Sequence, residues 1–209
     1  IGLEFGQMFR RFGSQVSIIQ RGDQLLSRED QDVADEIATI LREDGLKIYL
    51  NSEVTELEAF EKNDIGVSIE TSGQKSQLNG THLLVAAGRS PNTEELELEN
   101  AGIITDERGY IVVNEFLETS TRNIFATGDV KGGPAFTHIS YDDFRVLRDN
   151  LLHEKKYSIS RRLVPYTVFI DPQLGRVGLS EKEALANDCH FEVAKMPMSH
   201  VARAIEVDE

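Results

Sequence analysis

The sequence has one cysteine, no tryptophan and no long apolar run. A single thiol, Cys189, forms neither an intrachain disulfide nor a dithiol centre, and it is too few for a cysteine-built zinc site. No stretch reaches the roughly 18 consecutive apolar residues of a membrane-spanning helix. The sequence opens without an initiator methionine and without a basic-then-apolar signal pattern. These absences favour a soluble, cytoplasmic protein with no membrane partner.

Basic residues are also scarce, since 22 lysines and arginines stand against 36 aspartates and glutamates, for a formal net charge of −14. This acidic balance argues against a sequence-independent grip on a polyanion, so no nucleic-acid partner is expected. One bound nucleotide stays compatible, because helix N-termini and backbone amides hold phosphate without net positive charge. The 209 residues, 40% of them hydrophobic, suffice for one large or two small globular domains.

Helices and strands alternate in the first fifty residues. The sequence predicts a helix up to Gly13, a strand at 15–19, a helix at 29–43 and a strand at 46–50. This order is typical of βαβ units on a parallel sheet. The first helix opens without a preceding strand or capping residue, which predicts that upstream sequence is missing. Its apolar stripe follows the helical spacing of Phe5, Met8, Phe9 and Phe12.

The spacing of apolar residues then changes from helical to alternating. Residues 53–80 predict a small antiparallel meander, and residues 82–88 predict a buried strand that ends in glycine. A helix is expected over 134–153, a strand over 164–170, and a capping box where Ser180 precedes Glu183 by three residues. The fold class is therefore α/β, a Rossmann-like parallel sheet with an antiparallel meander, and the strand at 164–170 begins a different unit. The apolar face of the 134–153 helix is formed by Tyr141, Phe144, Leu147 and Leu151.

The first stretch with chemical meaning lies at the start of the sequence. Gly2 fits the third glycine of a dinucleotide-binding G-x-G-x-x-G motif, which allows a helix to pack closely on a strand. About 20 residues on, where an acidic residue would hold the ribose 2′-OH, stands Gln20. A neutral amide beside Arg21 suits a 2′-phosphate better than a carboxylate does, which favours NADP. The alternative is a packing glycine and a solvated arginine.

Two further stretches end predicted strands. Gly88 closes residues 82–88 and lets a ligand approach the backbone at the carboxyl edge of a parallel sheet. Asp129 follows Gly128 at the end of residues 123–128, shortly before a helix N-terminus. Its carboxylate could accept hydrogen bonds from a polyol, while the helix amides face a phosphate or an electron-rich ring. A turn residue or helix cap is the alternative for Asp129.

Together these stretches resemble the pyridine nucleotide-disulfide oxidoreductases, the FAD-containing family of dihydrolipoamide dehydrogenase, glutathione reductase and mercuric reductase. The motifs, in order, are IGLEFG from residue 1, AAGRSPNT from 86, IFATGD from 124 and VPYTVFIDPQLGRVGLSE from 164. The last resembles the start of the family's interface domain. FTHISYDDFRVL from 136 and LSRED from 26 most resemble the mercuric-reductase-like branch, which includes a flavoprotein of reactive-chlorine resistance linked to copper reduction.

The resemblance implies an FAD site. Asp129, next to Gly128, would hydrogen-bond the ribityl chain, and the backbone at Phe136 and Thr137 would approach the flavin pyrimidine edge. His138 would lie beside the flavin, although a packed or solvated histidine is the alternative.

The resemblance also implies an NAD(P) site, with Glu4 nearest the nicotinamide and Arg28 as a second candidate for a 2′-phosphate. The residues expected to line it are Gly2, Glu4, Gln20, Arg21, Val54 and Gly88.

The family's redox cysteine pair, its first glycine motif and the histidine that serves the partner subunit are expected outside this sequence, so no catalytic residue is assigned. Cys189 is interpreted as structural. His190 and His200 lack metal-ligand spacing, and no metal site is predicted. The expected domains are an NAD(P)-binding domain at 1–90, the C-terminal segment of an FAD domain at 91–158 and a partial interface domain at 159–209.

The resemblance implies a homodimeric parent enzyme that passes hydride from NAD(P)H to FAD and on to a disulfide, another small molecule or a metal ion. One alternative is dihydrolipoamide dehydrogenase working with NAD, against which Gln20 counts. Another is a nucleotide-binding or dimerisation module without catalysis. The fragment alone is expected to be inactive and to hold FAD weakly.

Overall fold

The computed structural model describes residues 1–60 and 64–207. They form two compact units. The first comprises residues 1–86, 167–175 and the described part of 179–209, and the second comprises residues 87–166 and 176–178.

A parallel pair of strands organises the first unit. β1 (Ser17–Ile19) pairs in parallel with β2 (Lys47–Tyr49), with Ile18 opposite Ile48. α1 (Gly2–Arg11) precedes β1, and α2 (Gln31–Glu43) connects the two strands. Parallel strands joined through a helix form a βαβ unit, so this prediction is confirmed. Ile170, from a later part of the chain, completes the core of this unit. The buried core residues are Leu3, Leu25, Ile37, Ala38, Leu41, Leu46 and Ile170.

The predicted meander is also confirmed. β3 (Ser52–Ala59), β4 (Ile65–Thr71) and β5 (Gln74–Gly80) form an antiparallel sheet in sequential order. The register of β3 on β4 shifts between Val54 and Glu56, as at a β-bulge.

The buried face of α1 is not the predicted apolar stripe. Leu3, Gly6 and Gln7 are buried, whereas Phe5 and Phe12 are 43% and 76% exposed. A Cβ built on Gly6 would lie 3.3 Å from Cδ1 of Ile18, so α1 approaches the sheet through its small residues. The aromatic side chains therefore point away from the core, and the predicted stripe is wrong as a packing face.

Residues 82–88 do not form the predicted buried strand. Their backbone pairs with no strand of the described residues. Leu83, Leu84 and Val85 are 43%, 55% and 74% exposed. Without a neighbouring strand the segment has no hydrogen-bond ladder and no sheet surface to bury its side chains against.

The second unit contains α3 (Thr137–Leu152), three isolated β-bridges and one-turn 3-10 helices. The buried residues of α3 are Ile139, Asp143 and Val146, whereas Tyr141 and Phe144 are exposed. The predicted apolar face is thus wrong, because the buried stripe is centred on a charged residue that finds partners inside. The 3-10 helices of this unit are Glu94–Leu96, Leu98–Ala101 and Gly128–Lys131.

The remaining elements are short. β6 (Tyr166–Val168) and β7 (Leu174–Arg176) form a two-stranded sheet, shorter than the strand predicted at 164–170. α4 (Glu181–Ala186) begins with the predicted capping box, which is confirmed: Ser180 Oγ accepts from Glu183 N at 3.1 Å, and Glu183 Oε2 accepts from Ser180 N at 2.9 Å. A 3-10 helix (Met198–His200) and α5 (Ala202–Val207) follow. Within the described ranges, no helix is both long and apolar enough to cross a membrane.

Candidate functional site

The turn Gly128–Lys131 presents one of the predicted cofactor residues. Gly128 has φ +73°, a conformation that favours glycine, and a Cβ built on it would lie 3.1 Å from Oγ of Ser140. The turn therefore packs against the start of α3 without a side chain between them. Asp129 comes next, and its side chain is 46% exposed. A carboxylate in this position is accessible to a ligand.

Arg89 reaches the same carboxylate. Its guanidinium Nη1 donates a hydrogen bond to Oδ2 of Asp129, and its carbonyl oxygen accepts from the Tyr110 hydroxyl at 3.3 Å. The second and third sequence motifs thus meet at one ion pair. Arg89 lies within the AAGRSPNT motif, but a local sequence pattern does not identify a partner this far along the chain, so no role was predicted for it.

A buried carboxylate lies beneath the turn. Asp143 on α3 is fully buried, and its Oδ2 accepts a hydrogen bond from the backbone N–H of Gly128 at 2.8 Å. Nη1 of Arg162 lies 2.5 Å from Oδ1, and Nζ of Lys131 lies 3.3 Å from Oδ2. These partners offset the cost of burying the charge. Asp143 was not predicted as a site residue, because an acidic residue in a helix more often faces solvent.

The N-terminus of α3 is open to a ligand. Phe136 occupies the N-cap position, and no side chain there caps the helix. The first backbone N–H groups, starting at Thr137, therefore carry the partial positive charge of a 16-residue helix. Such an end suits an anion or the electron-rich edge of a ring.

An aromatic stack forms beside this helix start. The ring of Phe136 lies between those of His138 and Tyr166, with both pairs of centroids 5.4 Å apart. Arg176 lies over Tyr166 at 5.8 Å. The imidazole of His138 is therefore held against Phe136, and it also borders a cavity of about 400 Å³ with Asp142, Arg145 and Arg162 on its walls. The five residues predicted for FAD all lie in this unit, on the turn and on the start of α3.

Five of the six residues predicted for NAD(P) lie in the first unit. A Cβ built on Gly2 would lie 3.3 Å from Cβ of Ala86, so close packing at this glycine is real. In the same first turn of α1, Oε1 of Glu4 accepts the N–H of Phe169 at 3.0 Å.

Gln20 lies at the carboxyl end of β1. Its N–H donates to the carbonyl of Tyr49 at 2.8 Å, and its own carbonyl accepts from Ser52 N at 3.0 Å. The ladder therefore continues past β1 toward β3, where Val54 is 44% exposed.

Acidic side chains lie near Arg21. It lines a cleft of about 240 Å³ together with Glu53 and Glu70, which lie opposite each other in the register of β3 and β4. Any phosphate bound by Arg21 in this cleft would also meet the negative charge of the two carboxylates.

The remaining predicted residues are exposed or open. Gly88, in the second unit, has φ +135° with no atom within 4 Å of a Cβ built on it, so a ligand has room there. Arg28 is exposed in the loop before α2. Cys189 is an exposed free thiol. In the described part of the chain no group of three or more His, Cys, Asp or Glu side chains could hold a metal ion.

Two family models match most of the chain. Residues 1–143 match the family described as pyridine nucleotide-disulphide oxidoreductase, and residues 164–209 match its dimerisation domain. A probable pyridine nucleotide-disulfide oxidoreductase, RclA of Escherichia coli K12, is 45% identical over 205 residues, which are 98% of this chain and 45% of that protein. A mercuric reductase of Staphylococcus aureus is 34% identical over 98% of this chain and 37% of its own length.

A solved structure extends the similarity to the fold. The HOCl-induced flavoprotein disulfide reductase RclA from E. coli superposes with a TM-score of 0.87 at 44% identity, over 99% of this chain and 47% of that one. The chain thus spans less than half the length of these relatives.

Proposed function

The chain belongs to the pyridine nucleotide-disulphide oxidoreductase family, and we propose that it is part of a longer subunit of a homodimeric flavoenzyme. That enzyme would pass hydride from NAD(P)H to FAD and electrons onward to a disulfide, another small molecule or a metal ion. The observation that carries the proposal is the exposed Asp129 carboxylate on a turn that packs against the uncapped N-terminus of α3.

The described residues fit a flavin. Asp129 offers a hydrogen-bond acceptor to a polyol such as the ribityl chain. The Phe136 N–H donates to the Pro134 carbonyl at 3.1 Å, so the donor that this helix start offers to the pyrimidine edge is the N–H of Thr137. The positive potential of the helix start beside Phe136 favours the negative charge that a reduced ring carries there. When bound, the flavin supplies hydride acceptance and electron transfer, while these residues hold and orient it.

His138 would have a positioning role at most. Its imidazole is stacked on Phe136, which orients the ring at the first turn of α3. We propose that this stack shapes the surface beside the flavin and that proton transfer is not required of His138.

For the nicotinamide cofactor, we propose that Gly2, Glu4, Gln20, Val54 and Gly88 line the site, with Glu4 toward the nicotinamide. We also propose NADP as the preferred cofactor, since a 2′-phosphate could reach the Arg21 guanidinium. Glu53 and Glu70 oppose that attraction, so the expected preference is modest. Arg28 is a second phosphate contact in this proposal.

The domain division at 1–90, 91–158 and 159–209 remains part of the proposal. The match of residues 164–209 to a dimerisation domain supports a homodimer. A dihydrolipoamide dehydrogenase acting with NAD is the second candidate, and Glu53 and Glu70 beside Arg21 favour it. The 209-residue chain alone would be a nucleotide-binding or dimerisation module without catalysis.

The decisive experiment uses the longer subunit. We expect it to purify with a yellow chromophore that NADPH bleaches anaerobically, and we expect Asp129→Ala to lose most of the flavin on desalting. A longer subunit without flavin, or an Asp129→Ala variant that retains all of it, would refute the proposal. The 209-residue chain serves as the comparison and should emerge from the same desalting colourless.

A further inference from the structure

We propose that Asp143 positions the flavin-binding turn: its buried carboxylate holds both ends of Gly128–Lys131 and thereby aims the carboxylate of Asp129. This inference rests on the proposed flavin site and adds to it a residue that touches no cofactor. Asp143 lies on the second turn of α3, behind the turn rather than on its exposed side.

The first contact is with the backbone. Oδ2 of Asp143 accepts the N–H of Gly128 at 2.8 Å, and Gly128 is the residue immediately before Asp129. Gly128 has φ +73°, a conformation that glycine adopts readily among many others, so the bond from Asp143 selects one of the conformations open to this residue. The bond therefore fixes the peptide at which the chain enters the turn, one residue before Asp129.

The second contact is with the other end of the turn. Nζ of Lys131 lies 3.3 Å from the same carboxylate, and both side chains are nearly inaccessible, at 4% and 0% exposure. One carboxylate thus binds the first residue of the turn through its backbone and the last through its side chain. A four-residue segment held at both ends has little freedom between them, and Asp129 lies between them.

Arg162 completes the arrangement from outside the turn. Its Nη1 lies 2.5 Å from Oδ1 of Asp143 and 3.5 Å from Oδ2 of Asp142. Arg162 therefore compensates the buried charge without touching the turn, which makes it a useful comparison. Removing it should destabilise the unit, because Asp143 loses a partner, but should leave the bond to Gly128 in place.

The test measures flavin affinity and stability separately in the longer subunit. Apoprotein is titrated with FAD by flavin fluorescence, and the apoprotein Tm is recorded for each variant. We expect Asp143→Ala to raise the Kd for FAD at least tenfold, and Asp143→Asn, which keeps an acceptor for Gly128 N–H, to raise it less. Arg162→Met should lower the Tm yet leave the Kd within twofold. Asp142→Asn, the neighbouring acid, should change neither.

A double-mutant cycle with Asp129→Ala separates positioning from general stability. If Asp143 acts through Asp129, replacing it in the Asp129→Ala background should change the Kd by less than twofold. Should Asp143→Ala fail to fold, the same cycle is run with Asp143→Asn. Hydrogen exchange of the apoprotein provides a measurement that does not involve flavin. The Gly128 amide proton should exchange at least tenfold faster in Asp143→Ala than in Arg162→Met.

Three results would overturn the inference. The first is an unchanged Kd for FAD in Asp143→Ala. The second is a Kd that changes in proportion to the Tm in both the Asp143 and the Arg162 variants. The third is an increase in Kd on replacing Asp143 that is as large in the Asp129→Ala background as in wild type. In each of these the wild-type subunit still binds FAD, so the proposed function survives. A wild-type subunit that binds no FAD refutes the proposed function itself.

Discussion

The guanidinium of Arg89 donates a hydrogen bond to the carboxylate of Asp129, a residue 40 positions further along the chain. The side chains are 56% and 46% exposed, so water screens the pair. An exposed pair of this kind contributes roughly 0.2–1 kcal/mol. The pair matters for orientation. Arg89 binds the Asp129 carboxylate directly, whereas Asp143 binds the backbone of the turn that carries Asp129.

Replacing Arg89 should weaken flavin binding slightly. We expect Arg89→Ala in the longer subunit to raise the Kd for FAD by about two- to fivefold, in line with an exposed ion pair. Fluorescence titration of the apoprotein measures the change. Arg122→Ala, at an exposed arginine of the same unit, is the matched control and should leave the Kd unchanged. Tighter FAD binding in Arg89→Ala would show that the pair competes with the ligand.

A larger residue at Gly2 should be costly. Because a Cβ built on Gly2 would lie 3.3 Å from Cβ of Ala86, valine would overpack this contact, and we expect Gly2→Val to lose about 1–3 kcal/mol of unfolding free energy. Urea titration gives the value. Gly175→Val is the control, since a Cβ built on Gly175 meets no atom within 4 Å. Equal stability of the two variants would mean that α1 does not pack closely on Ala86.

Cofactor choice should depend on the cleft beside β1. We expect Arg21→Leu to raise the KM for NADPH about tenfold and to leave the KM for NADH unchanged, because only the former carries a 2′-phosphate. Glu53→Gln should have the opposite effect and lower the KM for NADPH. Steady-state kinetics with both donors on the longer subunit provide the comparison. Equal changes for NADPH and NADH would remove Arg21 from the phosphate contact.

Acid should remove the stabilising effect of one ion pair in the first unit. Nζ of Lys195 lies 2.6 Å from Oδ2 of Asp32 and 2.6 Å from Oε1 of Glu181. The hydrogen bond from Lys195, which outweighs burial, lowers the pKa of Asp32, and the two carboxylates raise the pKa of Lys195. A lowered aspartate pKa stabilises the fold above its unfolded value of about 3.9, and this stabilisation disappears as pH falls through the folded value.

We therefore expect Asp32→Asn to lower the Tm slightly between about pH 5 and 9, and the difference from wild type to diminish as the pH falls below about 3.9. The raised lysine pKa adds no pH dependence in that window, because its effect is lost only above about pH 10. Thermal melts across the pH range test this. The exposed Asp23→Asn should show no comparable pH-dependent difference, and a constant difference at all pH values would contradict the assignment.

The cap of α4 offers a local test. Ser180→Ala removes the acceptor for Glu183 N, and we expect a loss of about 1 kcal/mol in helix stability. Hydrogen exchange of the α4 amides reports this loss directly. Ser180→Thr keeps the hydroxyl and should retain most of the protection. Protection that stays equal in the alanine variant would mean that packing, and not the cap, fixes the start of this helix.

Local signals predicted the local structure well. Residues 29–43 were expected to be helical and α2 is Gln31–Glu43, because apolar spacing and Gly45 both act within a few residues. The same holds for β1, for β2 and for the Ser180 cap. In each case the sequence positions that decide the structure are neighbours in the chain.

Features that depend on distant partners were predicted poorly. Apolar periodicity identified Phe5 and Phe12 but could not show that α1 approaches the sheet through Gly6. The apolar run at 82–88 suggested a strand, yet a strand forms only beside another one. Asp143 looked like any solvated helix acid, because Gly128, Lys131 and Arg162 lie 15, 12 and 19 residues away and only folding assembles them around its carboxylate.

The uncovered side chains of α1 affect how this chain behaves in a test tube. Phe5, Met8 and Phe9 are 43%, 36% and 46% exposed and Phe12 is 76% exposed, on a single short helix. Contiguous apolar surface of this kind binds hydrophobic dyes and promotes self-association at high concentration. The apparent molar mass of the isolated 209-residue chain in light scattering should therefore rise with concentration. Binding data describe a monomer only in preparations that have not self-associated.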